Sequence, residues 1–315
     1  MTNNQFVIGS SNTDLVIYLD RIPKIGETVM GGSSSIIFGG KGANQAVSIK
    51  KAGGNVKFIT QLGNDIFGKN LKNYFKKKLK LPSKYILTDS KSPSGTAQIF
   101  VSKEGENSIA VAPGSNGTLK FNILKKFLKD INENDIILLQ LEIPIDTVNK
   151  IINFAFKKKI RVILNPAPMS NLSKKILKKV WMITPNETET EILTGVKITS
   201  KKDAFKASKK LLDMGIQHVI ITLGDKGSIY NSVEEKISFC VPKVKALDST
   251  AAGDVFNGYL CKLISEGENI QTAIKLAHAA ASLSVTIKGA QTSIPDFKKT
   301  MNFYEKNKEK FKVEY

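Results

Sequence analysis

The segment 248–254, Asp-Ser-Thr-Ala-Ala-Gly-Asp, carries the clearest chemical signal in the sequence. Ala251, Ala252 and Gly253 are small residues at the predicted start of a helix, so their N–H groups and the positive end of the helix dipole are open to an anion. Asp254 follows in the first helical turn, where a carboxylate can accept a hydroxyl proton. This pattern fits phosphoryl transfer. By itself, an acidic residue that complements the helix dipole explains it more simply.

A second polar group, Asn12-Thr13-Asp14, follows the first predicted strand. It places an amide and a carboxylate two residues apart. A carboxylate that accepts hydrogen bonds from two neighbouring hydroxyl groups fits a vicinal diol. An Asx turn at the end of the strand is the alternative, and without other evidence that alternative is preferred.

The glycine-rich segment 39–44, Gly-Gly-Lys-Gly-Ala-Asn, enters a predicted helix. Glycine lets the backbone approach a ligand closely, and the start of a helix presents free N–H groups. The segment is not a Walker A loop, because the leading glycine would fall at Ser35 and Gly42 replaces the required Ser or Thr. A tight turn from strand to helix is the plain alternative.

Acidic and amide side chains end two later strands. Glu142 follows the central apolar strand and suits a sugar hydroxyl. Asn186 and Glu189 suit a Mg²⁺ ion that keeps most of its water ligands. The same pair also matches a capping box at the start of a helix, and the sequence favours neither interpretation over the other.

Two further features fit a nucleotide. The loop 222–227, Thr-Leu-Gly-Asp-Lys-Gly, leaves a strand with two glycines, so its backbone can lie along phosphates. His278 lies among alanines of a predicted helix, where its ring could stack on adenine. A buried, hydrogen-bonded core histidine is the equal alternative. No second ligand lies at the spacing that a metal-binding histidine requires.

The elements that position these residues alternate along the chain. Apolar runs of strand length are followed by segments with helical spacing, which predicts a doubly wound α/β fold with a mainly parallel sheet and helices on both faces. Ligands of such sheets bind at the carboxyl ends of the strands, where the polar residues lie. The predicted strands are 6–8, 56–60, 136–141, 162–164, 182–183 and 219–223. The predicted helices are 43–51, 68–79, 146–157, 204–214, 253–265, 270–287 and 296–312.

Residues 15–38 and 85–111 interrupt this alternation. Both regions read as short strands with turn residues and no helices. We interpret them as a small β-sheet attached to a single domain over residues 1–315, in a place where a lid or a dimer face is common. Edge strands of the main sheet are an alternative that the pattern supports nearly as well.

The composition, 41% hydrophobic and 24% charged, is typical of a soluble globular protein. The formal net charge of +19 invites a nucleic-acid partner. Of 47 basic residues, however, only Arg21 and Arg161 are arginines, the residue best suited to reading bases. We therefore attribute the charge to lysines on solvated surfaces. The sequence shows no signal peptide and no apolar stretch of bilayer length, so we expect a cytoplasmic protein.

Together the motifs resemble the ribokinase-like carbohydrate kinase superfamily. The resemblance runs from Phe6 to about Phe297 and includes the segments 39–44 and 248–254. The segments 165–168 and 288–291 look more like the ribose-specific members than like the fructose, adenosine or ketodeoxygluconate kinases. The resemblance implies a doubly wound α/β domain with a β-sheet lid, usually a homodimer through the lids. The implied reaction transfers the γ-phosphate of ATP to the 5-hydroxyl of ribose, with Mg²⁺ and K⁺ as cofactors.

The resemblance also implies roles for single positions. Asp254 would be the base, and Ala252 with Gly253 would form the anion hole. The implied sugar-binding residues are Asn12, Thr13, Asp14, Gly40, Lys41, Gly42, Ala43, Asn44, Glu142 and Asp254. The implied ATP-binding residues are Asn186, Thr222, Leu223, Gly224, Asp225, Lys226, Gly227, Gly253, Asp254 and His278. The implied K⁺ positions are Asp248, Thr250, Ser284, Ile287, Gly289 and Ser293, and Mg²⁺ would be held through water by Asn186 and Glu189.

Three departures from the pattern of the superfamily are small. Ser249 stands where Thr is usual, Ala251 where many relatives have Gly, and Thr292 where Pro is frequent. We expect Ala251 to cost only backbone freedom. Phosphorylation of 2-deoxyribose or another sugar is the close alternative, although an amide at Asn12 facing a 2-hydroxyl favours ribose. The remote alternatives are a non-catalytic sugar-binding paralogue and a nucleic-acid-binding protein.

Overall fold

The computed structural model describes residues 3–315, which form fourteen strands and ten α-helices. The strands, β1 to β14 in chain order, are Gln5–Ile8, Asn12–Tyr18, Ser33–Gly39, Val56–Gly63, Ile86–Asp89, Gly95–Val101, Asn107–Ala112, Ile136–Leu139, Arg161–Leu164, Met182–Ile183, His218–Thr222, Ser228–Ser232, Lys236–Phe239 and Val313–Glu314. The helices, α1 to α10, are Lys41–Lys51, Ile66–Asn73, Phe121–Leu128, Ile145–Lys157, Lys174–Leu177, Glu187–Thr194, Lys201–Asp213, Ala252–Ser265, Ile270–Ser284 and Phe297–Lys306. None of these helices combines the length and the apolar character that crossing a membrane requires.

Ten strands form one large sheet in the order β14, β13, β12, β11, β10, β9, β8, β1, β4 and β5. The seven strands from β11 to β5 pair in parallel. The other three extend one edge in antiparallel pairs. The central strand β1 is buried along its whole length, as expected for a strand covered on both faces. The predicted α/β fold class is confirmed.

Successive residues of β1 point into two separate hydrophobic cores. Phe6 and Ile8 pack on one face with residues such as Ile151 of α4. Val7 packs on the other face with residues such as Tyr259 of α8. Side chains alternate between the faces of a strand, so one apolar run supplies both layers of a doubly wound fold.

The other four strands form a small sheet in the order β3, β2, β6 and β7. Strand β2 pairs antiparallel with β3 and parallel with β6. The first residue of β2, Asn12, lies opposite the last residue of β3, Gly39, so the end of this sheet joins the large sheet where the polar motifs lie. The region 85–111 is divided, because Ile86–Asp89 pairs with β4 and its first residue is buried in the main core.

Helix bounds differ from the sequence expectation at the C-terminus. The predicted helix 296–312 ends at Lys306, and the chain then pairs as β14 with β13. Phe311 is buried against the rings of Phe303 and Tyr304, and this packing redirects the backbone. Strands β12 and β13 were not predicted.

Candidate active site

Asp254 lies in the first turn of α8 and is 5% exposed. Its Oδ2 accepts a hydrogen bond from Asn44 Nδ2 at 3.0 Å, and its Oδ1 accepts one from Gln45 Nε2 at 2.9 Å. Burial raises the pKa of Asp254 above its ordinary value, while the charge of Lys41 and the two amides favour the ionised form. Helix α1 therefore holds the orientation of this carboxylate.

Gln45 is a residue that the sequence reasoning missed. Its Nε2 also donates to Asn165 Oδ1 at 3.1 Å, and its Oε1 accepts a hydrogen bond from Gln140 Nε2. These side chains come from α1, from the end of β9 and from the end of β8, and all are buried. The sequence did contain a signal for this role. Gln45 lies among small apolar residues of α1, and a buried amide requires polar partners.

Lys41 lies among three carboxylates from different segments. Burial lowers the pKa of its side chain, but nearby negative charge outweighs burial and raises that pKa above its ordinary value. The charges come from Asp254, Glu142 and Glu189. Glu142 Oε2 also accepts hydrogen bonds from the Lys41 N–H at 2.9 Å and from the Ser10 hydroxyl at 2.5 Å. The structure thus brings together acidic residues that lie far apart in sequence.

Asp14 approaches this group from the small sheet. Burial and the negative charge of Glu142 raise the pKa of Asp14 to about 7. A Cβ atom added at Gly39 would lie 2.0 Å from Asp14 Oδ2, so a glycine is required beside this carboxyl. Asp14 and Glu142 therefore lie close enough for their charges to interact.

The amide of Asn12 is held by Asn116, a second residue that the sequence reasoning missed. Asn116 Nδ2 donates to Asn12 Oδ1 at 2.7 Å, and Asn116 Oδ1 accepts from the Ser11 N–H at 2.9 Å. Within residues 3–315 the Nδ2 group of Asn12 has no such partner. It is the part of the Asn12 amide that is available to a ligand.

Three residues of the predicted sugar-binding set lie behind the site. Thr13 and Ala43 are fully buried, so neither side chain can contact a ligand directly. The Ala43 N–H donates to Ser10 O at 2.8 Å. A Cβ atom at Gly42 would lie 2.6 Å from the Ser10 nitrogen, so this glycine permits α1 to pack on the chain after β1. In the structure these three residues pack behind the site and support its backbone.

Asn186 and Glu189 form a capping box at the start of α6. The Glu189 N–H donates to Asn186 Oδ1 at 2.8 Å, and the Asn186 N–H donates to Glu189 Oε2 at 2.9 Å. Burial raises the pKa of Glu189, which the charge of Lys41 opposes. Glu189 therefore caps the helix and also lies close enough to Lys41 and Asp254 for their charges to interact. No group of three His, Cys, Asp or Glu side chains that could hold a metal ion occurs in the described part of the chain.

The loop 222–227 turns out of β11 through a short 3₁₀ turn at Gly224–Lys226 that is exposed. His278 has a different setting. It is buried, its Nε2 lies 2.7 Å from the Ser228 hydroxyl, and its ring centroid lies 4.8 Å from that of Phe256. Burial lowers the pKa of His278 to about 3, so the ring is neutral. This setting favours the core interpretation of His278 over stacking on adenine.

Asp248 connects the loop before α8 to the loop after α9. Its Oδ1 accepts from the Thr250 N–H at 2.9 Å, and its Oδ2 accepts from the Gly289 N–H at 2.8 Å. Burial raises the pKa of Asp248, but the Thr250 side chain, these two backbone N–H groups and the charge of Lys288 outweigh burial and lower that pKa. Among the residues that the structure describes, no cationic nitrogen lies within 4 Å of this carboxylate.

The other predicted cation positions lie in the same region. The Ser284 hydroxyl donates to Ala281 O and the Ser293 hydroxyl donates to Ala290 O, both at 2.8 Å. The Ile287 N–H donates to Ser284 O at 3.0 Å. These local bonds shape the turn between α9 and α10, which the Asp248 carboxylate reaches at Gly289.

Comparison with known proteins decides the family. The sequence model of the family described as "pfkB family carbohydrate kinase" matches residues 2–296 of this chain. The chain belongs to this family. It is 42% identical to the ribokinase of Haemophilus influenzae over 95% of this chain and 97% of that protein. It is 34% identical to the deoxyribokinase of Salmonella typhimurium over 96% and 98%. The solved structure of Arabidopsis thaliana ribokinase complexed with ribose and ATP is similar at a TM-score of 0.89, with 31% identity over 96% of this chain and 99% of that one.

One position in the helix start of this pfkB family member is strained. Ala251, the N-cap of α8, has φ +63° and ψ +7°, in the left-handed region. A residue with a Cβ atom loses roughly 1–2 kcal/mol in this conformation, whereas glycine does not. The cost of Ala251 is therefore steric as well as a matter of backbone freedom.

We expect Ala251→Gly to stabilise the folded protein by about 1 kcal/mol, because glycine removes this steric cost. Glycine also raises the conformational entropy of the unfolded chain, which cancels part of the gain. Thermal unfolding should shift upward by about 2–4 °C. Ala252→Gly is the matched control, since Ala252 is helical and its replacement should destabilise the protein. An unchanged or lower melting temperature for Ala251→Gly would contradict the assigned conformation.

The raised pKa of Asp14 predicts a pH-dependent cost in stability. The folded state keeps this proton up to about pH 7, whereas an unfolded Asp loses it near pH 3.8. The contribution of Asp14 to the free energy of unfolding is therefore greatest at low pH, and it is lost as the pH rises toward 7. Asp14→Asn should therefore stabilise the ligand-free protein by about 1–2 kcal/mol more at pH 8 than at pH 5.

Denaturant unfolding at the two pH values measures this difference directly. Asp20→Asn is the control, because Asp20 is an exposed carboxylate whose nearest charge is the exposed Lys103. A stability difference between Asp14→Asn and the parent protein that does not grow with pH would count against the burial of this carboxylate.

Proposed function

We propose that this protein is an ATP-dependent ribokinase, which transfers the γ-phosphate of ATP to the 5-hydroxyl of D-ribose and gives D-ribose 5-phosphate. The observation that carries the proposal is the buried Asp254 carboxylate at the start of α8, oriented by Asn44 and Gln45. The identity of 42% to a ribokinase over nearly the whole chain supports it.

Asp254 is proposed as the base. The 5-hydroxyl must lose its proton as its oxygen attacks phosphorus, and a carboxylate with a raised pKa is a stronger acceptor than an ordinary one. The two amides fix both carboxylate oxygens, so the acceptor is positioned before the sugar arrives. The charge of Lys41 lowers the pKa of Asp254 and so opposes the effect of burial on this carboxylate.

The N–H groups of Ala252 and Gly253 are proposed to stabilise the charge on the transferring phosphoryl group. They lie at the start of a helix of 14 residues, where the dipole is positive. Gly253 is exposed, and a Cβ atom added there would have no neighbour within 4 Å. This open space beside Asp254 suits a phosphoryl group. The exposed turn Gly224–Lys226 is proposed to lie along the nucleotide.

The hydroxyl groups of ribose are proposed to bind between the two sheets. Asp14 and Glu142 supply acceptors, and the Nδ2 group of Asn12 supplies a donor. Asn44 Oδ1 is buried and accepts no hydrogen bond within residues 3–315, so the contribution proposed for Asn44 is to orient Asp254 through its Nδ2 group. Hydroxyl groups that donate to Asp14 would favour its ionised form and offset its burial.

Mg²⁺ and K⁺ are proposed cofactors. Asn186 and Glu189 are proposed to hold Mg²⁺ through water, because Asn186 Oδ1 and Glu189 Oε2 already accept the hydrogen bonds of the capping box and Mg²⁺ commonly keeps several water ligands. Bound there, Mg²⁺ would neutralise charge on the phosphates of ATP. Asp248 suits a monovalent cation, since its partly buried carboxylate has no ion pair in the described residues and lies beside the turn after α9.

A homodimer through the small sheet is also proposed. Ile109 and Val111 of β7 are more than half exposed. By strand register they share a face with Ile99 and Ala97 of β6. An apolar sheet face of this kind is suited to covering by a second copy. Because the proposed reaction consumes ATP, the proposed compartment is the cytoplasm.

A kinase assay on a sugar panel tests the proposed substrate. With Mg²⁺-ATP and K⁺, we expect ribose-dependent ADP formation, and a kcat/KM for ribose at least about tenfold above that for 2-deoxyribose. A site that binds a hydroxyl by hydrogen bonds loses affinity for an analogue without that hydroxyl. A preference for 2-deoxyribose would instead assign the activity named for the Salmonella typhimurium relative.

Asp254→Asn is the inactive control for this assay. We expect its kcat to fall by roughly 10²–10⁴, because the base acts in the transition state, while its affinity for ribose changes little. Glu191→Gln, an exposed change on α6, should keep the parent activity. Near-normal turnover by Asp254→Asn would reject the role given to this residue.

A further inference from the structure

Lys51 ends α1 about two turns beyond Asn44 and Gln45, the residues that hold Asp254. Its side chain is half-buried, and its ammonium group donates to two backbone carbonyls, Gln291 O at 3.0 Å and Ile294 O at 2.8 Å. Burial and the charge of Lys299 lower the pKa of Lys51. No carboxylate lies within 4 Å of it in the part of the chain described. Both hydrogen bonds of the Lys51 ammonium group therefore go to the backbone of one turn.

That turn connects α9 to α10 and carries positions proposed to hold K⁺. Asp248 fixes its beginning at Gly289, and the Tyr259 hydroxyl fixes its end by donating to Pro295 O at 3.0 Å. Lys51 holds the middle. A hydrogen bond from a charged donor is stronger than one from a neutral donor, so the two bonds of Lys51 help to order this turn.

The side chain of Gln291 lies in the same turn but makes no hydrogen bond within residues 3–315 that would hold it. Gln291 is 4% exposed, and neither its Oε1 nor its Nε2 has a hydrogen-bond partner within residues 3–315. A buried polar group without a partner destabilises the folded state. The Gln291 side chain therefore does not hold this turn in place, whereas the Lys51 ammonium group bonds its backbone.

Helix α1 connects this turn mechanically to the sugar site. It is 11 residues long, which corresponds to about 16 Å. Asn44 and Gln45 bond Asp254 near its start, and the Ser48 hydroxyl donates to Val255 O of α8 at 2.9 Å in its middle. Lys51 at its end bonds the turn. One rigid helix therefore contacts the proposed base, the phosphoryl-binding helix and the proposed cation turn.

We propose that Lys51 is a positioning residue that fixes the backbone carbonyls of residues 287–294 for the monovalent cation. This inference rests on the proposed function, since it concerns the cation of the same reaction. Lys51 does not contact a substrate in this account. It acts through the turn, so its loss weakens activation by K⁺ and leaves ribose binding nearly unchanged.

The test compares Lys51→Met, which keeps side-chain length but has no donor, with Lys51→Arg, which keeps donors. We expect the K⁺ concentration for half-maximal activation to rise roughly 5–20-fold in Lys51→Met. KM for ribose should change less than about twofold, and saturating K⁺ should restore most of kcat. Lys51→Arg should recover at least half of the affinity for K⁺. Lys50→Met is the matched control, because Lys50 is exposed and its side chain has no hydrogen bond or ion pair among the described residues.

Two measurements without sugar separate this inference from the proposed function. Amide hydrogen exchange of residues 286–295 should be faster in Lys51→Met than in the parent protein. The rise in melting temperature on adding K⁺ should be smaller in that variant. Both results are expected even if ribose proves not to be the substrate. Unchanged exchange, an unchanged response to K⁺ in Lys51→Met, or a parent protein that does not respond to K⁺ would overturn the assignment.

Discussion

The contact between α1 and the Asp254 carboxylate is the interaction on which the rest of the site depends. A carboxylate that is 5% exposed loses most of its hydration, and burial alone would make it neutral. The amides of Asn44 and Gln45 and the charge of Lys41 return part of that stabilisation. All three residues belong to the first two turns of α1, so the position of this helix determines both the orientation and the basicity of the carboxylate.

The position of α1 is fixed by its contacts with the chain after β1 and with α8. Gly42 lets the helix start lie against the chain that leaves β1, and the Ser48 hydroxyl bonds the backbone of α8. The same chain after β1 leads directly into β2, which carries Asn12 and Asp14 into the small sheet. One compact junction thus brings together the groups proposed to bind the sugar, the proposed base and the helix start proposed to bind the phosphoryl group. The site is rich in carboxylates, with Lys41 among them, and the proposed substrates and cations supply the missing donors and positive charge.

The sequence predicted the parts of this arrangement that depend on local pattern. The apolar runs gave the parallel sheet, and small residues followed by Asp254 gave the helix start. It did not predict Gln45 and Asn116, because their importance comes from contacts with residues about 100 or more positions away. The family resemblance also implied a sugar-binding set that includes Thr13 and Ala43, although both side chains are buried. A motif shows which residues occur together, and burial then separates those that face a ligand from those that support the backbone. The capping box confirms the local interpretation of Asn186 and Glu189, whereas their role in holding Mg²⁺ stays a proposal.

The pH dependence of kcat in a Gln45→Met variant tests the central claim most directly. At saturating sugar and K⁺, kcat should fall at low pH as the base becomes protonated. Loss of one amide donor to the ionised carboxylate should move this acid limb upward by about one pH unit, since one such hydrogen bond contributes roughly 1–2 kcal/mol. That shift would confirm that Asp254, held by α1, is the titrating base. An acid limb at the same pH in both proteins would contradict the account.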